Sequence, residues 1–157
     1  MSYDDAMESL SNDALKLIKN NQVIGLGSGR AATALVKSLG KLIKLKNYNI
    51  KGIPTSLQIK LIAEKAGIPL IESDQVNHID IVFDGADQID FDKYVIKGGG
   101  GALLRENILF SLAKKVVVMA DKTKFVKKFT RTVPIEIHPL ARNSVIRSIK
   151  KLGGESK

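Results

Sequence analysis

The sequence contains no cysteine, which removes disulfides and thiolate chemistry and fits a reducing cytosol. Its two histidines, His78 and His138, argue against a dedicated zinc site, which draws heavily on Cys and His. No apolar run approaches the ~18 residues that a membrane span needs. The opening residues, Met1-Ser2-Tyr3-Asp4-Asp5, are acidic where a secretory leader would be basic. These absences predict a soluble cytoplasmic protein with no membrane partner. Aromatic residues are also scarce, at 5%, with no aromatic-rich strand to stack bases and no helix-turn-helix pattern. A net charge of +9 therefore predicts no nucleic-acid partner on its own.

That charge is uneven. Lys114, Lys115, Lys122, Lys124, Lys127, Lys128 and Arg131 face one acid, Asp121, over the same stretch. Such a run is either a solvated face or a region that meets an anion, and a phosphorylated metabolite is the functional reading that suits it. With 157 residues, 44% of them hydrophobic, the chain can bury the core of one domain and begin another.

The apolar spacing predicts helices over residues 4–20, 31–44, 56–66 and up to about 113, the last following a glycine run. Short apolar strands are predicted over 22–26, 49–53, 79–83, 94–96 and 116–120. Continuous β-branched strands alternating with amphipathic helices imply an α/β fold, a doubly wound, mainly parallel, Rossmann-like sheet. Residues 1–130 form this expected α/β domain. Residues 131–157, read as a strand over 133–138 and a helix over 139–152, are too few for a core of their own and read as the beginning of a small second α+β domain.

Four polar clusters fall at predicted strand ends, where open α/β sheets bind ligands. Gly25-Leu26-Gly27-Ser28-Gly29-Arg30 could bring backbone N–H groups to an anion at a helix start, or could be a plain turn. It lacks the last glycine of a dinucleotide fingerprint, because Arg30 stands there. Thr55-Ser56 could cap the next helix or offer hydroxyls to a ligand. Asp84-Gly85-Ala86-Asp87 places two acids after the most apolar strand, where burial of a carboxylate is costly without a role. A Mg²⁺ site there would lack an obvious further ligand set. Lys97-Gly98-Gly99-Gly100-Gly101 spends heavily on chain entropy, which close backbone approach to a ligand would explain. Lys97 could steady an oxyanion, and Glu106 follows in the first turns of a helix.

Together these clusters, in this order and with Asp121-Lys122-Thr123-Lys124 after them, resemble the type A ribose-5-phosphate isomerase family over residues 20–125. The resemblance implies an aldose–ketose isomerase that interconverts D-ribose 5-phosphate and D-ribulose 5-phosphate through an enediolate, in the non-oxidative pentose phosphate pathway, with no cofactor and no metal. It implies that Glu106 carries the proton between C1 and C2, that Lys97 stabilises the enediolate, and that Asp84 assists ring opening or hydroxyl proton transfer. Substrate binding would fall to Gly27, Ser28, Gly29, Arg30, Thr55, Ser56, Asp87, Gly98, Gly99, Gly100, Gly101, Asp121 and Lys124. A homodimer or homotetramer is expected.

Three departures from the family pattern stand out. Arg30 and Ala31 replace hydroxyl residues, so phosphate recognition is expected to shift toward Arg30. Gln88 replaces a glutamate. Full-length members continue well past Gly153-Gly154, so Val133, Ile135, Leu140, Val145 and Ile149 are expected to be partly uncovered. A sugar-phosphate sensor domain without catalysis is the alternative, and it would have no need of Glu106 and Lys97 together. A polyanion binder using the basic stretch, or a CoA-transferase-like enzyme, fits the residues less well.

Overall fold

Apolar strands with no polar face must be covered on both sides. In the computed structural model, which describes residues 3–156, the central strands are, and one edge strand is not. The elements run α1 (Tyr3–Leu15), β1 (Val23–Leu26), α2 (Gly29–Lys46), β2 (Lys51–Pro54), α3 (Leu57–Ala66), β3 (Ile81–Gly85), β4 (Gln88–Ile89), β5 (Val95–Ile96), α4 (Leu103–Leu112), β6 (Val116–Met119) and α5 (Arg142–Lys151). The main sheet has four strands in the order β2-β1-β3-β6, every pair parallel. Alternate residues serve opposite faces. Ile24, Leu26, Ile81 and Phe83 point into the larger core, with Leu35, Val36 and Leu39 of α2. Val82 points the other way, joining Ile53, Ile79 and Leu109 under α4. This is the doubly wound α/β sheet that the sequence implies.

Local structure departs from expectation in four places. Helix α1 stops at Leu15 rather than at residue 20, because Asn20 and Asn21 form a turn whose side chains bind the backbone and amide of Asn49. The strand expected to be buried over 116–120 is the sheet edge, and Val116 and Val118 remain 40% and 38% exposed because their face is left open. Residues 94–96 do not join the main sheet. Their strand, β5, pairs antiparallel with β4 in a separate two-stranded ribbon. Residues 133–138 form no strand; Pro134 has no N–H to give a ladder, and the segment lies against the glycine loop and the start of α4 instead.

Beyond it, α5 has no buried residue and packs chiefly on the short turn Pro139–Ala141 that precedes it. Val133, Ile135 and Leu140 are exposed, while Val145 and Ile149 are half-buried.

One acid lies at the start of the most apolar strand. Asp80 accepts from Val23 N through Oδ2 at 2.9 Å and from Lys114 Nζ through Oδ1 at 2.8 Å, tying β1, β3 and the approach to β6 at the end opposite the glycine turns. Burial pushes its carboxyl up, but the Lys114 hydrogen bond, the Val23 amide and the Lys114 charge together outweigh burial and hold it below its ordinary value. A lowered folded value means stability that is present above the ordinary 3.8 and lost as pH falls through the folded value. Asp80→Asn keeps an acceptor for Val23 but loses the charge facing a half-exposed lysine. It should cost about 1 kcal/mol at neutral pH, and the gap to the parent should close as the solution is acidified. Urea unfolding across a pH series measures both.

Candidate active site

The sheet order reverses between β1 and β3: the crossover from β1 leads outward to β2, and that from β3 leads the other way to β6. A crevice must open beyond the carboxyl ends of these two strands. Gly27 follows β1 there and Asp84 closes β3. A Cβ on Gly27 would lie 2.4 Å from Asp84 Cγ and 2.5 Å from Phe83 O, so only glycine lets the Asp84 carboxylate lie across this turn. The carboxylate is held in place by Ser28 N (3.1 Å) and Gly85 N (2.7 Å), both donating to Oδ1.

The ribbon then folds the chain back over the crevice. Asp87 N donates to Ile96 O, which brings Lys97 beside Asp84. Lys97 Nζ donates to Gly85 O at 2.6 Å and lies 3.0 Å from Asp84 Oδ2 and 3.2 Å from Glu106 Oε2. Glu106, in the first turn of α4, accepts from Ser28 Oγ through Oε1 at 2.6 Å. Asp84 and Glu106 are 1% and 2% exposed. Their inner oxygens, Oδ2 and Oε2, form no directed hydrogen bond, although both lie within ion-pair distance of the ammonium, whose one well-aligned bond goes to Gly85 O. Burial pushes the Asp84 carboxyl up; the Lys97 charge opposes this and the Glu106 charge adds to it. One cation thus stands between two dry carboxylates, an arrangement that favours keeping a proton within the cluster.

This cluster forms one wall of a cavity of about 280 Å³. Ser28, Gly29 and Arg30 line it from the start of α2, and Asp87, Gly98, Gly99 and Gly100 from the loop opposite. Asp121 and Lys124 close it from the end of β6. Asp121 is partly engaged in local structure, since its Oδ1 accepts from Thr123 N and Thr123 Oγ1, which hold its carboxyl low.

Gly27 lies beneath Asp84 rather than at the cavity surface, and Gly101 stands outside it. Thr55 and Ser56 are not brought to the cavity. The Thr55 hydroxyl is buried and donates to Leu26 O, and Ser56 Oγ caps α3 by accepting from Ile59 N. Met7 and Leu10 of α1 and Arg131 also line the cavity; the residue pattern marks the first two only as an apolar helix face and Arg131 only as one of a run of basic residues. Among the described residues, no group of three or more His, Asp or Glu is placed to hold a metal ion, and no helix is long and apolar enough to cross a membrane.

The family model for ribose 5-phosphate isomerase A (phosphoriboisomerase A) matches residues 51–157. The chain belongs to that family. It is 42% identical over 151 residues to ribose-5-phosphate isomerase A of Trichodesmium erythraeum, covering 94% of this chain and 64% of the relative. The solved structure of the family member from Methanocaldococcus jannaschii superposes with a TM-score of 0.90 at 38% identity, covering 98% of this chain and 69% of that one. A further isomerase structure, in complex with phospho-erythronic acid, has a TM-score of 0.89 at 35% identity, covering 98% and 68%. The chain spans about two thirds of the length of these family members.

The geometry of this site depends on the bare turn under Asp84. Gly27→Ala should destabilise the protein by about 1–3 kcal/mol, as overpacking does. Gly100→Ala, whose Cβ would come no nearer than 3.6 Å to Ser28 Oγ, should stay within about 0.5 kcal/mol. Denaturant unfolding of the two variants compares them directly.

Proposed function

We propose that this chain interconverts D-ribose 5-phosphate and D-ribulose 5-phosphate by proton transfer through an enediolate. The observation that carries this is the Lys97 ammonium lying 3.0 Å from Asp84 and 3.2 Å from Glu106, both buried, on the wall of an open cavity. Such an isomerisation needs a base at carbon, a cation at the developing oxyanion and a group that moves a hydroxyl proton. Glu106 removes the proton from C2 of the open-chain aldose, and the C–H electron pair becomes the C1–C2 double bond while O1 takes the negative charge. Lys97 stabilises that charge. Asp84, which burial makes a readier proton holder than an exposed carboxylate, passes a proton between O2 and O1. Glu106 returns its proton to C1, giving the ketose with all atoms retained. The Ser28 hydroxyl fixes Glu106 by one oxygen and leaves the other facing Lys97.

Phosphate recognition falls to the cationic side of the cavity, with Arg30 at the start of α2 and Lys124 opposite. No side chain caps α2, because the Ser28 hydroxyl is spent on Glu106. Phospho-erythronic acid, a phosphorylated sugar acid held by a relative, belongs to the ligand class expected here. A non-catalytic sugar-phosphate sensor would not need to bury Glu106 and Lys97 together, and their juxtaposition favours the enzyme. We further take residues 131–157 as the start of a second unit, and the protein as a cytoplasmic homo-oligomer whose contacts draw on exposed apolar residues such as Phe91 and Tyr94.

Glu106→Gln keeps shape and the Ser28 contact but removes the base, so kcat should fall by at least ~10²-fold with KM little changed. Lys97→Ala should cost ~10²–10³-fold. Ribose 5-phosphate turnover by the purified chain tests both. Retention of most turnover by Glu106→Gln would overturn the assignment and make Asp84 the base to examine.

A further inference from the structure

Four consecutive glycines cannot order themselves, and the structure shows what holds them. Gln88, buried next to Asp87, uses its amide three times. Its Oε1 accepts from Thr130 N (3.0 Å) and Arg131 N (3.1 Å), and its Nε2 donates to Thr130 Oγ1 (2.7 Å). This pins residues 130–131 against the ribbon. From there Arg131 reaches back to Asp87 Oδ1 at 3.5 Å, while Asp87 Oδ2 accepts from Gly99 N at 2.9 Å. Pro134 then lies against Gly98, where an added Cβ would stand 3.0 Å from Pro134 Cβ. Finally Glu136 Oε2 accepts from Leu104 N at 2.7 Å. Helix α4 has no cap of its own, since Ala102 at its N-cap offers no acceptor side chain. A carboxylate thirty-two residues away in sequence supplies one and also suits the positive end of the helix.

We propose that residues 130–136 form a strap that positions the catalytic loop, with Glu136 and Arg131 as its two positioning residues. Glu136 acts through α4 on Glu106, and Arg131 acts through Asp87 on Gly99, two residues beyond Lys97. Glu136 does not line the cavity, and the guanidinium of Arg131, which does, is paired with Asp87. The strap approaches the loop from outside and fixes both of its ends: the lysine that meets the oxyanion and the helix that carries the base. The kinetic consequence rests on the isomerase reading of the site, whereas the ordering of the loop does not.

The test uses the whole chain and two independent readouts, hydrogen exchange over residues 98–106 and the kcat and KM for ribose 5-phosphate. Glu136→Ala should speed exchange over 98–106 by about 5-fold, as loss of a helix cap does, with β1 and β3 unchanged. It should lower kcat by about 10-fold or more through small misplacement of Glu106, with KM little altered. Glu136→Gln keeps an acceptor oxygen and should restore most of both. Arg131→Ala should act in the same direction with a smaller change, because its ion pair is exposed.

Unchanged exchange over 98–106, a rise spread evenly over the whole chain, or an unchanged kcat in folded Glu136→Ala would each overturn the strap. Should Glu136→Ala not fold, Arg131→Ala decides by exchange over 98–106, a readout independent of the place of Arg131 on the cavity wall. A parent chain that does not isomerise would refute the proposed activity, and the exchange comparison would then decide the strap alone.

Discussion

A single ammonium shared by two buried carboxylates is the constraint around which this molecule is arranged. Removing Asp84 and Glu106 from water is expensive unless a counter-charge is within reach, and Lys97 is one cation for two anions. The deficit is partly met by backbone: Ser28 N and Gly85 N hold Asp84, and the Ser28 hydroxyl holds Glu106. The inner oxygens of both acids are left with the lysine alone. A fold can keep such a cluster only if the surrounding elements fix it more strongly than the cluster resists. Here the apolar sheet does so, with Ile24, Val82 and Phe83 fully buried directly behind the turns.

The parts of the sheet divide this labour by position. At the carboxyl ends of β1 and β3 the chain places glycine and acid, and the catalytic groups converge. At the opposite ends, Asp80 ties Val23 and Lys114 together. Both acids lie in or beside the same apolar strand, five residues' span apart at most, yet their environments push their pKa values in opposite directions. Asp80 meets its lysine at a half-open edge with an amide to spare, so its charged form is favoured. Asp84 shares its lysine with Glu106 in a dry site, so its charge is disfavoured. The stabilising acid and the reactive acid differ in surroundings, not in kind.

How much of this could be read from residues alone follows the same division. The alternation of apolar strands and helices specifies the doubly wound sheet, and polar residues straight after strands mark Gly27, Asp84 and Lys97. Strand order, however, is not written locally. Thr55 and Ser56 also follow a strand, but β2 lies on the far side of β1 from β3, so their hydroxyls serve Leu26 and α3 instead of the cavity. Val95 and Ile96 carry strand propensity, but the ribbon they form depends on a tertiary pairing with Gln88 and Ile89 that no period reveals. Met7 and Leu10 show an apolar helix face without showing what that face will meet. Arg131 is hidden among lysines, and the Gln88 contact to its backbone and the ion pair with Asp87 distinguish it from a solvated charge.

The glycine loop brings these threads together. Gly98 and Gly101 adopt φ of +101° and +69°, conformations that cost an ordinary side chain dearly, and Gly101 N closes a turn on Gly98 O at 3.0 Å. That turn swings the chain directly from Lys97, just past β5, into the helix bearing Glu106, so that nine positions of sequence separation become 3.2 Å of space. Glycine permits the path but supplies no side chain to hold it. The holding must therefore come from elsewhere: Asp87 at Gly99, Pro134 at Gly98 and Glu136 at the head of α4. In this fold the residues that make the catalytic contact possible and the residues that make it lasting are necessarily different ones, and the second set lies largely outside the sheet.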